Sequence, residues 1–288
     1  MAVFGSATPV SKLIGNELPI LTASFFRVVL GSLFLLPFVI KGLSKDIKQI
    51  EKKNWIYISL ISIFGMVGFT FFLIWGMKFV TGVVGSIIMS ITPALTGIAS
   101  YLFLSSPLGK KRVTALILGV GGVLVINMFG DKFGFEQTLL SYLGAGLVFL
   151  AICCEAAYTL IGKRMTDTIS PLLVTFLAST LSIPLFLILA LFDFSDVAWS
   201  EISLQAWASL VWWGVGTLGI GSALWYSGLS KAEGSTAAGF MSIMPVSALL
   251  LSYYLLDETF YSVHIIGIVL VLTSVALMSW VHATEHEH

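Results

Sequence analysis

Ten apolar stretches, separated by short polar segments, account for almost the whole chain. A membrane-spanning helix needs roughly 20 predominantly apolar residues, with some tolerance for tilt. The stretches approach that length, although the first is short for a full span, and the breaks between them hold nearly all of the charged residues. The pattern predicts ten transmembrane helices, near residues 1–15, 20–40, 55–77, 81–104, 112–128, 142–162, 171–192, 206–228, 234–256 and 264–281.

The composition agrees with lipid as the main solvent of this chain. Of its 288 residues, 57% are hydrophobic and only 10% are charged, whereas a soluble domain has about 25% charged residues. The formal net charge is zero, so bulk electrostatics does not indicate a nucleic-acid partner. We therefore expect an all-α polytopic membrane protein.

Lys and Arg residues are concentrated on one side of the predicted membrane. If the N-terminus is cytoplasmic, only Lys78 and Lys132 fall in outer loops, and the outer connection at 193–201 has three acidic residues and no basic one. Because basic residues mark cytoplasmic loops, both termini are expected in the cytoplasm. The eleven basic residues of the inner loops are Lys41, Lys45, Lys48, Lys52, Lys53, Lys110, Lys111, Arg112, Lys163, Arg164 and Lys231.

The two halves of the chain share a pattern at an offset of 152 residues, where MSITP (89–93) aligns with MSIMP (241–245). Each half holds five predicted helices, and five is odd, so the second half would enter the membrane in the opposite sense. The charges agree, because the Lys-rich segment 41–54 aligns with an acidic segment near 193–205. Inverted repeats with a site at their interface are a recurrent plan of secondary transporters.

This repeat predicts the domain organisation. A first five-helix unit covers residues 1–128, and a linker covers residues 129–141. A second five-helix unit covers residues 142–282, and residues 283–288 form a cytoplasmic tail.

Short segments of both halves resemble a known transporter family. FGSATPVSK (4–12) resembles its Trp-Gly-Ser start with a later Lys, with Phe4 in place of the Trp. FFRVVLG (25–31) resembles the Arg-bearing second helix, and LLDE (255–258) resembles the acidic end after the ninth helix. The first half departs at LFLSSPL (102–108), where two serines stand in place of a similar acid. The family is the EamA-type branch of the drug/metabolite transporter superfamily.

The resemblance covers nearly the whole chain and implies a fold and a function. It implies ten helices in two five-helix halves, and a transporter of small metabolites that is often an exporter. We accordingly expect the protein in the cytoplasmic (inner) membrane of a bacterium or an archaeon. Substrates differ widely within this family, so the resemblance does not name one.

Glu155, in ICCEAAY, is the only carboxylate placed near the centre of a predicted span. An ionisable residue there costs about 2.5 kcal/mol or more on insertion scales, which makes it a candidate functional site. Glu155 could bind a proton, a cation or a substrate amine, or it could be a structural carboxyl hydrogen-bonded to a neighbouring helix. Arg27 could pair with Glu155, bind a substrate carboxylate or extend to lipid headgroups.

Aromatic residues near these charges are further candidates. Tyr158 lies three residues from Glu155 on the same helix face, where it would bind the substrate or satisfy Glu155. Adjacent residues of a helix point about 100° apart, so only one of Trp212 and Trp213 would face a cavity. We expect Trp213 to stack on an aromatic or cationic substrate, the alternative being an anchor at the lipid interface.

The two aligned pentapeptides lie near the centres of their spans. Pro93 and Pro245 are predicted to kink their helices and to face each other across a pseudo-two-fold axis, bracketing a central cavity. The serines next to the methionines would contact substrate or only pack helices, and methionines offer polarizable walls to varied ligands. The substrate contacts expected from these segments are Met89, Ser90, Met241 and Ser242.

Three function classes require different features of the sequence. A secondary transporter or facilitator needs an inverted repeat around a central site, which the sequence has. An integral membrane enzyme would need a catalytic acid pair or a His cluster, and the predicted spans offer one isolated carboxylate. A structural or receptor-like bundle would not require the repeat. Since the sequence has no nucleotide-binding, Mg²⁺ or zinc motif, we expect no cofactor, no metal and no enzymatic activity.

The expected partners are a small-molecule substrate, the lipid bilayer and a coupling proton or cation. One acid, one Arg and several aromatic residues suit a zwitterion, such as an amino acid or a related amphipathic metabolite. A cationic or aromatic drug-like compound is the alternative. Transport direction, coupling and the formation of a homodimer are left open by the sequence.

Overall fold

The computed structural model describes residues 1–80, 82–106, 108–128, 138–256 and 261–285, and its elements are all helical within these ranges. The helices are α1 Ala2–Gly5, α2 Ala7–Gly15, α3 Ile20–Gln49, α4 Lys52–Leu60, α5 Phe69–Met77, α6 Gly82–Met89, α7 Thr92–Leu104, α8 Lys110–Met128, α9 Leu139–Thr166, α10 Pro171–Ala190, α11 Leu204–Val211, α12 Ser222–Leu229, α13 Gly234–Met241, α14 Ile243–Leu255 and α15 Val263–Glu285. A 3₁₀ turn occupies Phe194–Asp196, and π-helical turns occupy Ile61–Gly68 and Trp212–Gly221.

Six helical stretches of the described residues are long and apolar enough to cross a membrane, with a mean hydropathy of 1.5 to 2.4. Helices also cover the other four apolar stretches of the sequence, in shorter or less apolar form. α3 continues to Gln49, well past the predicted end near residue 40, because the segment KGLSKDIKQ consists mostly of good helix formers. The six stretches are Ile20–Gln49, Lys52–Met77, Leu139–Thr166, Pro171–Ala190, Gly234–Leu255 and Val263–Thr284.

Both aligned proline segments interrupt their helices. α6 ends at Met89 and α7 begins at Thr92 with Pro93 in its first turn, while α13 ends at Met241 and α14 begins two residues later. Proline has no N–H to bond to the carbonyl four residues earlier, which for Pro93 is the carbonyl of Met89. The hydroxyl of Thr92 donates to that carbonyl at 2.7 Å. The Met89 carbonyl, which the break leaves without a backbone donor, is therefore satisfied by a side chain, as a membrane interior requires.

The two π-helical turns are also related by the 152-residue offset, because residue 61 aligns with 213 and residue 68 with 220. Each turn brings glycines against a neighbouring helix. A Cβ added at Gly214 would lie 2.8 Å from the Cβ of Leu30, and one added at Gly65 would lie 2.7 Å from the Cβ of Tyr158. Close packing at these two turns sets the distance of α3 and α9 from their partners.

Polar contacts join the two halves at the end of the bundle formed by residues 16–19 and 191–203, called here the Glu17 end. The carboxylate of Asp193 accepts hydrogen bonds from the backbone N–H groups of Leu21 and Thr22, at 3.0 and 3.1 Å, and from the Thr22 hydroxyl at 2.6 Å. Glu17 accepts from the hydroxyl of Ser203 at 2.8 Å. A carboxylate at the first turn of a helix satisfies free donors and complements the helix dipole.

Replacing Asp193 with alanine should lower the free energy of unfolding by about 1–2 kcal/mol, because the first turn of α3 loses its cap. Thermal unfolding of the purified protein in detergent would measure this. Asp196→Ala is a matched control, since Asp196 is exposed in the same loop and its removal should change stability by less than about 0.5 kcal/mol. Equal midpoints for the two variants would contradict the capping role.

Candidate functional site

A cavity of about 430 Å³ lies between helices from both halves of the chain. That volume is within the range of about 300–1,000 Å³ that is usual for small-molecule sites. The first half contributes residues of α1, α2, α3, α5 and α6, and the second half contributes residues of α9, α10, α12, α13 and α14; the two π-helical turns also line it. The cavity therefore lies at the interface between the aligned halves.

One wall of the cavity is charged and aromatic. Arg27 from α3, Glu155 and Tyr158 from α9, and Trp213 from the second π-helical turn all line it. The Arg27 guanidinium lies over the Trp213 ring, 4.7 Å from its centroid. Stacking on an aromatic face holds the guanidinium plane in place while its N–H donors stay available to a ligand.

The remaining walls are rich in methionine. Six of the nine methionines of the chain line the cavity. Their unbranched thioether side chains adapt to ligands of different shape and make favourable contacts with aromatic rings. The six are Met1, Met66, Met77, Met89, Met241 and Met244.

The structure brings together six of the eight substrate contacts expected from the sequence: Glu155, Arg27, Tyr158, Trp213, Met89 and Met241 line one cavity. Ser90 and Ser242 do not line it and are buried between helices, where Ser242 packs against Gly119 of α8. The rotation of about 100° between successive helical residues turns each serine away when the preceding methionine faces inward. The structure thus places both serines outside the cavity lining, which agrees with the alternative that they pack helices, and their contact with substrate stays a prediction.

The two tryptophans of the Trp212-Trp213 pair diverge as the helical rotation requires. Trp213 is 6% exposed and lines the cavity, whereas Trp212 is 46% exposed and donates from its indole N–H to Ser6.

The kink prolines lie outside the cavity lining, with Pro93 buried and Pro245 half-buried. Glu258, which lacks an acidic partner in the first half, lies outside the described residues.

Several cavity residues were not anticipated. Met244 follows Met241 by one helical turn, and Met66 lies in the first π-helical turn. Tyr226 does not line the cavity but supports its wall, since its ring packs against that of Tyr158 with centroids 5.0 Å apart. The spacing of Met241 and Met244 was the signal that could have found one of them, because residues three apart share a helix face.

The cavity reaches the Glu17 end of the bundle and is closed at the opposite end. Ser11, Ile20 and Met77, all near the Glu17 end, are among its lining residues, and Met77 is 37% exposed. At the opposite end α13 packs closely on α7, and Gly162 of α9 lies against the fully buried Tyr226 ring. We call that closed end the Arg164 end, because the guanidinium of Arg164 lies there over the Tyr57 ring, 5.5 Å from its centroid.

Metal-ligating side chains are dispersed in the part of the chain that the structure describes. No group of three or more His, Cys, Asp or Glu residues that could hold a metal ion occurs there. Cys153 and Cys154 are free, and Cys154 is buried.

Comparisons with known proteins agree with this two-part architecture. The model of the EamA-like transporter family matches the chain twice, over residues 1–128 and 142–280. The uncharacterized transporter YetK of Bacillus subtilis is 32% identical over 272 residues, covering 94% of this chain and 82% of its own. An uncharacterized transporter of Archaeoglobus fulgidus is 29% identical over 241 residues, which cover 83% of this chain and 81% of that protein.

A solved structure shows that the fold is shared. A protein crystal structure with 16% sequence identity superposes with a TM-score of 0.78, covering 98% of this chain and 95% of that chain. The resemblance inferred from the sequence is thus confirmed by the family match and by the relatives. The chain is an integral membrane protein, and it belongs to the EamA-like transporter family.

Proposed function

We propose that this protein is a secondary transporter or facilitator that exports a small organic metabolite by alternating access around the central cavity. The proposed arrangement has ten transmembrane helices in two inverted five-helix repeats, residues 1–128 and 142–282, with both termini in the cytoplasm. Residues 129–141 link the repeats, and residues 283–288 form the cytoplasmic tail. The bias of basic residues toward one side and the two family matches support this arrangement in a cytoplasmic membrane.

The observation that carries the proposal is the cavity between the two halves, with Arg27 and Glu155 on its wall. Opposite charges that share a membrane cavity and are not joined directly to each other are costly unless a ligand or coupling ion uses them. The relatives from Bacillus subtilis and Archaeoglobus fulgidus are both described as transporters, which supports a role without catalysis.

An amphipathic zwitterion, such as an amino acid or a related solute, suits this cavity. Arg27 supplies donors for a carboxylate, and Glu155 supplies an acceptor for an ammonium group. The methionines and aromatic rings of the other walls contact the apolar part of the substrate. A cationic or aromatic drug-like compound is the second candidate, favoured by Glu155, Trp213 and the methionines, and it would not need Arg27.

Glu155→Gln should abolish the stimulation of flux by a pH gradient, because the amide cannot bind and release a proton. Flux into proteoliposomes, measured with and without the gradient, reports this change. Substrates would come from a panel of metabolites and cationic dyes, ranked by thermal shift of the purified protein. Glu201→Gln, at an exposed loop position, is the matched control and should behave as the parent.

The outcomes separate the components of the proposal. Gradient-dependent flux that persists in Glu155→Gln removes Glu155 from the coupling mechanism. Flux of cationic dyes without any flux of zwitterions favours the second candidate. The absence of flux for the whole panel would contradict the transport proposal for small organic solutes.

A further inference from the structure

Arg112, in the first turn of α8, reaches from the first half of the chain to the second at the Arg164 end. Its side chain is 1% exposed. It donates a hydrogen bond to the hydroxyl of Ser235 at 3.1 Å and forms an ion pair with Glu233, both at the start of α13. A guanidinium so enclosed needs its partners, because a buried cation without them is strongly destabilising.

Among the described residues, the equivalent position in the other half makes no such contact between the halves. At the offset of 152 residues, Arg112 aligns with His264 at the start of α15. His264 is buried, but it bonds to the hydroxyl of Tyr253, a residue of its own half. The sequence also places Thr81 where the second half has Glu233, so the aligned position carries no carboxylate. At these two aligned positions, an Arg–Glu pair can therefore form in one of the two arrangements and not in the other.

Helix packing differs between the two ends in the same way. At the Arg164 end, α13 packs against α7, and a Cβ added at Gly234 would lie 2.9 Å from the Cβ of Ser100. The aligned pair at the Glu17 end is α6 and α14, which have no comparable packing among the described residues. The lining of the cavity extends to that end. The ion pair thus coincides with the closed end of the cavity.

We propose that Arg112, Glu233 and Ser235 form a latch that holds the Arg164 end closed and favours the conformation in which the cavity is open at the Glu17 end. The latch rests on the proposed alternating-access function, in which the two ends open in turn. Opening the Arg164 end moves α13 away from α7 and α8, which separates Arg112 from both partners. Because the aligned positions hold Thr81 and His264 in place of a Glu and an Arg, the latch biases the two conformations unequally.

A cysteine placed behind the latch would report its opening. Ser100→Cys, in a background with Cys153 and Cys154 replaced by alanine, puts a thiol at the buried contact between α7 and Gly234. Its reaction with a water-soluble maleimide would be followed in detergent micelles, where both ends are accessible. Arg112→Gln and Glu233→Gln should each raise the labelling rate about tenfold, which corresponds to a bias of about 1.4 kcal/mol.

Two further variants keep this test decisive. The double charge reversal R112E/E233R should return the labelling rate to within about twofold of the parent, because the swapped pair can form again. Lys163→Gln is the matched control at the same end, since Lys163 bonds only to Asp167 and the Ser230 carbonyl of its own half in the described contacts, and it should leave the rate unchanged. A second reporter, Ser179→Cys between α3 and α10, should stay protected in every variant that remains folded.

Unchanged labelling of Ser100→Cys in both single variants would overturn the latch, and so would an equal rise for Lys163→Gln. A rise in both reporters together would show general unfolding and would also count against it. The labelling needs no substrate, so it is independent of the flux measurements. A latch that fails in a transporting protein leaves the proposed function intact, and a latch that holds in a protein without flux does not support that function.

Discussion

Arg27→Leu should reduce the transport of carboxylate-bearing substrates by more than about thirtyfold. The variant leaves the substrate carboxylate without its cationic partner in an enclosed site, and truncating one partner of such a charge pair costs about 2–5 kcal/mol. Arg27 lines the cavity with its guanidinium stacked on the Trp213 ring. Leucine keeps the apolar contacts of the side chain and removes the charge and the donors. Arg27→Lys should recover only part of the flux, because an ammonium group cannot form two parallel bonds to a carboxylate.

Lys78→Leu is the matched control for this experiment. Lys78 also lies over an aromatic ring, 4.3 Å from the centroid of Trp75, but its side chain is exposed and does not line the cavity. Counterflow in proteoliposomes would compare the variants for a zwitterion and for a cationic dye. If Arg27→Leu retains full zwitterion flux, Arg27 is not the carboxylate site, and the cationic substrate class gains support.

Gly65→Ala should destabilise the protein by about 1–3 kcal/mol, the usual cost of adding a methyl group to a well-packed interior. The added Cβ would lie 2.7 Å from both Cβ and Cγ of Tyr158, and atoms so close to the backbone cannot move aside alone. The π-helical turn or α9 must therefore shift, and with it the Tyr158 ring on the cavity wall. Unfolding in detergent and substrate-induced thermal shift would measure the two effects.

Gly228→Ala provides the comparison, because a Cβ at Gly228 would meet no atom within 4 Å. Alanine at a helical position without a clash gains about 0.5–1 kcal/mol over glycine. The two substitutions thus share their chemistry and their helix propensity, and they should change stability with opposite signs. If Gly65→Ala is neutral or stabilising, the turn at residues 61–68 can accommodate an added methyl group, and the close contact with Tyr158 does not limit it.

Features that depend on local sequence were predictable. Apolar length indicates where helices run, and every predicted stretch contains helix in the described residues. Pro93 and Pro245 marked helix interruptions because a proline lacks a backbone donor whatever surrounds it. The depth of Glu155 in its span, read from the sequence, agrees with its place on the wall of a central cavity.

Features that depend on helix rotation and on distant partners were not predictable. Sequence periodicity orders the faces of one helix, but the direction in which a face points depends on its neighbours. Ser90 and Ser242 share the depth of the two methionines beside them and point elsewhere. The cap that Asp193 gives to α3 joins residues more than 170 positions apart, so no local sequence pattern predicts it.

The aligned halves show this division clearly. Residue spacing alone established the helical stretches, the proline breaks and the 152-residue offset, since each follows from chain-local propensity and solvent preference. Which end of the cavity is closed could not follow from that offset, because related halves permit either end to close. In the structure, α13 packs on α7 at the Arg164 end, where Arg112 also pairs with Glu233. Those contacts form only when helices from both halves are assembled, since closure is a property of the interface between the halves.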